Sequence, residues 1–563
     1  MSDSSVFARV RGALVTLGLT ALSAACSAPA PATPSPVVSW SPETPVTVSG
    51  GQVQGALTEA NPEIVTFKGI PYAAPPIGDL RWKPPQPVVA WDGVRDATTN
   101  APICLQAGPA AMGAQAGPQS EDCLVLNVWA PRETATLLPV MVWVHGGGFF
   151  NGSISYPTYD GTRFAEQGVV LVSLNYRLNV FGFFAHPALS AESPHGASGN
   201  YGLMDVVAGL DWVRDNIASF GGDPERVTLF GESAGGGAVM SAMLMPQAEG
   251  LFHRAIAEST WVYGWDRPLK EAIGGWDSAE AQGVAIAEAL GGSDDDALET
   301  IRAASADEVL AVANAGTGNL LMRTGYLWAP NVDGWTIPDD PVRMYDEGRQ
   351  HDVPLLTGMN ADEGASPARQ LNVQTPGDLE AHVRAVYPDV ADEALAHYDL
   401  GSDESARAES AHLVTDMYFA GPVRLQTDSH TRLSSPVWLY HFTRVPPTDF
   451  GALAGSYHGA EVVYVFGTMM PGSPPEGATP NPLAPYGAWT DADRQLSDTM
   501  MAYWTQFAAT GDPNRDGLLA WPAHEPSTDQ HLTLGDTVAL GESLHHSGGA
   551  LFRSFDESRR ALR

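Results

Sequence analysis

The chain has 563 residues, of which 44% are hydrophobic and 15 are Trp. That composition supports a large buried core and excludes intrinsic disorder, and the length would suit roughly two to four ordinary domains. Asp and Glu total 65 against 30 Lys and Arg, a formal net charge of −35, which excludes the basic footprint that nucleic acid requires and reads as a soluble acidic surface.

Arg9 and Arg11 precede a stretch over 12–25 that is apolar, rich in small residues and too short to span a bilayer stably, the pattern of a removable export signal. It ends in Leu22-Ser23-Ala24-Ala25-Cys26, which resembles the lipobox of bacterial lipoproteins. On that reading residues 1–26 are the signal, and an acylated Cys26 attaches the chain to a membrane, given further acyl chains on the same residue. Ser23 stands where an apolar residue is usual, so simple secretion after cleavage near Ala25 or Ala30 is the alternative. Either route exports the protein. Residues 27–45, dominated by Ala, Pro, Ser and Thr, read as an exposed tether, which leaves 46–563 for the folded part. With Cys26 set aside, Cys104 and Cys123 are near enough to close one loop, a contribution on the order of 3 kcal/mol in an oxidising compartment. Two buried free thiols are the competing reading.

The runs Val140-Met141-Val142-Trp143-Val144, Val169-Val170-Leu171-Val172, Val227-Thr228-Leu229-Phe230 and Val353-Pro354-Leu355-Leu356 are what strands buried on both faces need. Between the second and third, apolar residues at 203, 206, 207, 210, 213 and 217 follow a helical spacing, and 496, 500, 503, 504 and 507 repeat it before a stop at Gly511 and Pro513. Strand and helix in alternation predict an α/β fold around a mostly parallel sheet. Residues 270–320 predict Ala- and acid-rich helices, with a capping box at Ser305 and Glu308, inserted to cover the sheet edge. No later segment is long and apolar enough for a membrane helix.

The strand ending at Phe230 runs into Gly231-Glu232-Ser233-Ala234-Gly235 and then a helical stretch of small residues. A serine hydroxyl is a weak nucleophile unless a base takes its proton and donors receive the charge that develops on the substrate oxygen. Strand, sharp turn and helix place Ser233 on a nucleophile elbow, with the Ala234 N–H aimed at that oxygen. The competing reading is a Gly-rich turn whose Ser caps the helix. Upstream, His145-Gly146-Gly147-Gly148-Phe149 follows the 140–144 run, a glycine loop whose N–H groups approach a substrate oxygen unobstructed.

These motifs, with Phe67-Lys68-Gly69-Ile70-Pro71-Tyr72-Ala73, Ser120-Glu121-Asp122-Cys123-Leu124, Asn175-Tyr176-Arg177, Gly199-Asn200-Tyr201-Gly202-Leu203 and Phe220-Gly221-Gly222-Asp223-Pro224, resemble the type-B carboxylesterases over about residues 45–560. This is the α/β-hydrolase family of bacterial para-nitrobenzyl esterases and cholinesterases. The resemblance implies a single domain over 46–563 with large helical insertions, Ser233 as nucleophile, and Gly147, Gly148 and Ala234 as oxyanion donors. Chain order then requires an acid and a histidine. Asn360-Ala361-Asp362-Glu363-Gly364 is similar to the acid motif and selects Glu363 over Asp362, and Tyr457-His458-Gly459-Ala460-Glu461 selects His458. The resemblance also implies a Cys104–Cys123 disulfide and an Arg81–Glu121 ion pair. Glu258-Ser259-Thr260-Trp261 and Trp328-Ala329-Pro330-Asn331-Val332-Asp333 depart from the family pattern near segments that form its substrate pocket.

The expected function is serine carboxylesterase, acting on a small-molecule ester without cofactor, metal or protein partner. A non-catalytic surface binding protein of the same fold is disfavoured by the presence of both Ser233 and His458, and an amidase on the same triad remains an alternative. A Ser-x-x-Lys acylase is excluded because none of Lys68, Lys83 and Lys270 has a Ser three residues before it. No His-Glu-x-x-His or Cys/His cluster points to metal-assisted hydrolysis.

Overall fold

Along the strand Leu138–Val144, alternate side chains enter two different cores: Val140, Val142 and Val144 join one, while Met141 and Trp143 join the other. A period of two with both faces apolar is the signature of a sheet covered on each side. The computed structural model, which describes residues 38–41, 43–106, 117–260, 267–272, 277–293, 296–316, 328–473 and 483–561, shows this strand inside an 11-stranded sheet.

The strands are β1 (Ala56–Leu57), β2 (Ile64–Pro71), β3 (Val125–Pro131), β4 (Leu138–Val144), β5 (Val170–Leu174), β6 (Gly222–Glu232), β7 (Arg254–Glu258), β8 (Leu355–Asn360), β9 (Val437–Phe442), β10 (Gln530–Leu534) and β11 (Val538–Glu542). Their spatial order is β11-β10-β9-β8-β7-β6-β4-β5-β3-β2-β1. From β5 to β10 every neighbouring pair is parallel, and the flanking pairs are antiparallel. Helix α1 (Tyr201–Asn216) buries Leu203, Val206, Val207, Leu210 and Val213 in the first core. On the other face Leu496, Met500, Tyr503, Trp504 and Phe507 of the helix Asp491–Thr510 fill the second. That helix stops at Gly511, whose φ of 82° is left-handed. This is the α/β-hydrolase fold, and the described residues belong to one compact unit.

Two expectations need correction. Chain packing starts before residue 46: Val38–Ser39 pair with Glu133–Thr134, and Trp40 is buried with its ring edge-on to Phe67 at 5.4 Å. An indole in the core outweighs the Pro-rich composition around it. The leader over 1–26 with Cys26, and the tether over 27–37, lie outside the described residues. The inserted helices Ala279–Ala289, Ala297–Ala303 and Ala306–Ala315, the last with its capping box, do not cover the sheet edge. They build a separate cluster in which Ile286, Ile301 and Val309 pack with Trp82, Phe181, Phe184 and Tyr201.

Cys104 and Cys123 form a disulfide. Close by, Arg81 grips Glu121 in a bidentate pair at 2.7 Å and donates to the Ala304 carbonyl, also at 2.7 Å, which ties the insertion to this loop.

Candidate active site

Strand β6 ends at Glu232, and helix α2 (Ala234–Ala242) begins one residue after Ser233. Between them Ser233 has φ 60°, ψ −123°, a conformation that a non-glycine residue adopts only under strain. The neighbouring glycines are required by proximity: a Cβ on Gly231 would lie 2.6 Å, and one on Gly235 2.0 Å, from the Val144 carbonyl oxygen at the end of β4. The Ser233 N–H is spent on the Glu258 carbonyl at 3.0 Å, so its side chain is the group left to project.

His458 reaches this serine from the other side. Its Nε2 stands 2.8 Å from Ser233 Oγ, and its Nδ1 stands 2.6 Å from Glu363 Oε2. Glu363 is fully buried in a short turn after β8, and its second oxygen accepts the Asn360 N–H at 2.8 Å. Asp362, one residue earlier, faces elsewhere: it accepts the Ser456 N–H at 2.8 Å and ties the histidine loop to the acid turn. Three residues separated by 130 and 95 positions thus form one hydrogen-bonded line, a base oriented by a carboxylate and aimed at a hydroxyl.

The glycine loop lies directly against the nucleophile. A Cβ on Gly146 would come within 3.0 Å of Ser233 Cβ. The loop is held by buried His145, whose Nδ1 donates to the Gly146 carbonyl at 2.8 Å and whose ring stacks on Tyr176. Burial pushes His145 down to about 4, so it stays neutral. Among the described residues no protein acceptor takes the N–H groups of Gly147, Gly148 or Ala234. No group of three or more His, Cys, Asp or Glu suited to a metal ion occurs among the described residues.

A model of the carboxylesterase family matches residues 42–547. The chain belongs to the carboxylesterase family. Over 499 residues it is 37% identical to the fumonisin B1 esterase of Sphingopyxis macrogoltabida, covering 87% of each chain. It is 35% identical to the para-nitrobenzyl esterase of Bacillus subtilis (strain 168) over 508 residues, covering 88% of this chain and 95% of that one. A solved PNB esterase structure superposes with a TM-score of 0.75 at 33% identity, covering 90% of this chain and 99% of the other. These likenesses identify the chain as a serine carboxylesterase, a carboxylic ester hydrolase.

Within this carboxylesterase, sequence reasoning passed over the buried carboxyls around the triad. Glu232, inside the elbow motif itself, has Oε1 3.3 Å from His458 Nε2. Glu461 accepts from Ser259 Oγ at 2.7 Å and from Asn360 Nδ2 at 2.5 Å. Burial raises the Glu232 and Glu461 carboxyls above their usual range, while the charge on His458 pulls both back down. For His458 burial works downward, but the Glu232 and Glu363 carboxylates outweigh it and hold the imidazole up at about 9. A base must be neutral to accept a proton, so a raised value moves the acid limb of kcat/KM upward. We expect that limb above the ordinary histidine value of about 6.5, and expect Glu232→Gln to move it down. A pH–rate profile checks this, and a limb that Glu232→Gln leaves in place would refute it.

Proposed function

We propose that the esterase works by two-step acyl transfer on Ser233, with His458 as the general base and Glu363 as its orienting carboxylate. The observation that carries this reading is the continuous line from Ser233 Oγ through His458 to Glu363, with contacts of 2.8 and 2.6 Å. His458 takes the hydroxyl proton as Oγ attacks the ester carbonyl, and Gly147, Gly148 and Ala234 supply N–H groups to the oxyanion. The imidazolium then returns the proton to the departing alkoxide, leaving an acyl-enzyme. Water, activated by the same base, cleaves that ester and restores Ser233.

The relatives are named for different esters, fumonisin B1 and para-nitrobenzyl, at nearly equal identity, so the likeness supports the acyl-transfer chemistry in common rather than one alcohol. An alkyl fluorophosphonate should phosphonylate Ser233 and no other residue. Mass spectrometry of the labelled peptide reads this, and active protein labelled elsewhere would overturn the assignment.

We also propose that the chain is exported and acylated at Cys26. The leader pattern supports this, as does the Cys104–Cys123 disulfide, since such bonds persist in oxidising compartments. The mature N-terminal peptide from the membrane fraction should carry lipid on Cys26. An unmodified N-terminus in the medium would instead show free secretion.

A further inference from the structure

One element outside the triad touches both the turn that carries its acid and the ring of its base. Helices α3 (Asp403–Thr415) and α4 (Gly421–His430) are joined by a π-helical turn over Asp416–Ala420. The wider turn has a local cause: Pro422 lacks an N–H, and its ring excludes the carbonyl four residues back, so the helix opens to admit it. Just before the turn, Thr415 Oγ1 accepts the Gly364 N–H at 2.9 Å, next to Glu363. Helix α3 lies so close to this acid turn that a Cβ on Gly364 would stand 1.9 Å from the Ala411 carbonyl. Inside the turn, the ring of fully buried Phe419 packs on the His458 ring, centroids 4.7 Å apart.

The other side of the turn is held by the chain's C-terminus. Buried Asp416 accepts from His545 Nδ1 at 3.0 Å and from the Tyr398 hydroxyl at 3.1 Å, and His397 Nε2 stands 3.7 Å away. His545 (φ 45°) and Ser543 (φ 59°) both adopt the left-handed region immediately before helix α5 (His546–Ala561), which the Asp416 contact holds in place. Helix α5 approaches the turn closely at two glycines: a Cβ on Gly548 would lie 2.2 Å from Asp416 Oδ1, and one on Gly421 would lie 2.3 Å from the Phe552 ring. The family match stops at residue 547, so nearly all of this helix lies beyond it.

We propose that Phe419 is a positioning residue for His458, and that the C-terminal helix holds it in place through Asp416 on the π turn. The inference rests on His458 being the base. A single hydrogen bond to Glu363 fixes one edge of the imidazole but leaves rotation about that bond, and the Phe419 ring blocks it. Displacing a reacting group by about 1 Å costs about 100-fold in rate, so loss of this stop should appear in kcat.

The test uses the full chain, with a fluorophosphonate titration counting competent sites so that kcat is expressed per site. Phe419→Ala and Asp416→Ala should each lower it about 10- to 100-fold, with KM changed less than about twofold because substrate binding is untouched. Phe419→Tyr and Asp416→Asn, which keep a ring and an acceptor, should recover most of the loss. The double variant Phe419→Ala/Asp416→Ala should be no slower than Phe419→Ala alone, since both act through one route. Should Phe419→Ala fail to fold, Phe419→Leu reads the same step. Wild-type kcat per site in these variants, equal losses in the conservative ones, or losses that multiply in the double variant would each overturn the proposal. Failure of the underlying reading looks different: the wild-type protein itself would titrate no site.

Discussion

Ser233→Ala is expected to lower turnover of a carboxylic ester about 10⁴-fold or more, with KM little changed. The hydroxyl's partner in the structure is His458 Nε2, so its removal strips the nucleophile without breaking a structural hydrogen bond. Alanine at φ 60° bears the same backbone strain as serine, and the close-packed Gly231 and Gly235 remain. Stability should therefore hold while the chemistry goes. Adding His458→Ala should cost little further, because a base without its nucleophile has nothing to deprotonate, and triad members act as a unit. Initial rates on a short-chain ester, corrected for folded protein by circular dichroism, decide the matter. Turnover within tenfold of wild type, an order of magnitude chosen well inside the expected loss, would remove Ser233 from the mechanism.

What was legible in the chain follows from where each physical constraint is local. Strand β4 is readable because both faces are buried, which forces an unbroken apolar run. The elbow is readable for a related reason: the end of β4 lies so near the turn that Gly231 and Gly235 tolerate no side chain, and steric exclusion leaves its mark at two positions flanking Ser233. Glu363 and His458 are different. Nothing local separates Glu363 from Asp362, and the choice came from the family motif; in space one carboxylate reaches the imidazole and the other binds the Ser456 N–H. The acid cluster was not legible as a cluster, because Glu232, Glu363 and Glu461 come from the end of β6, the turn after β8 and the histidine loop, and only tertiary convergence sets them around one ring. Phe419 left no trace for the same reason. The inserted helices are legible as helices from their Ala- and acid-rich composition and the capping box at Ser305 and Glu308, but neither signal says which surface a helix covers, and they pack in a separate cluster rather than on the sheet edge.

Asp205→Ala should destabilise the fold by about 3–5 kcal/mol, the usual cost of breaking a buried ion pair from one side. Asp205 in α1 is fully buried and takes three hydrogen bonds from Arg177: from its N–H at 3.0 Å, its Nε at 2.8 Å and its Nη2 at 2.7 Å. Arg177 has the Lys83 carbonyl as a further acceptor and lies over the Tyr201 ring, so without Asp205 a buried guanidinium is left largely unpaired. Burial lifts the Asp205 carboxyl above its usual range even though Arg177 works in the opposite direction. Burial thus works against the charged carboxylate even beside its partner, which separates two outcomes. Removing one partner should be costly, while Arg177→Met with Asp205→Leu, which buries apolar volume in place of both charges, should recover most of the loss. The segment after β5 that carries Arg177 also carries Asn179, whose N–H holds the Phe149 carbonyl at 2.7 Å and so the end of the glycine loop. The double variant should therefore regain denaturant resistance but remain slower on esters than wild type. Guanidinium unfolding midpoints alongside kcat read both halves, and a double variant as fast as wild type would show that the ion pair does not aim the loop.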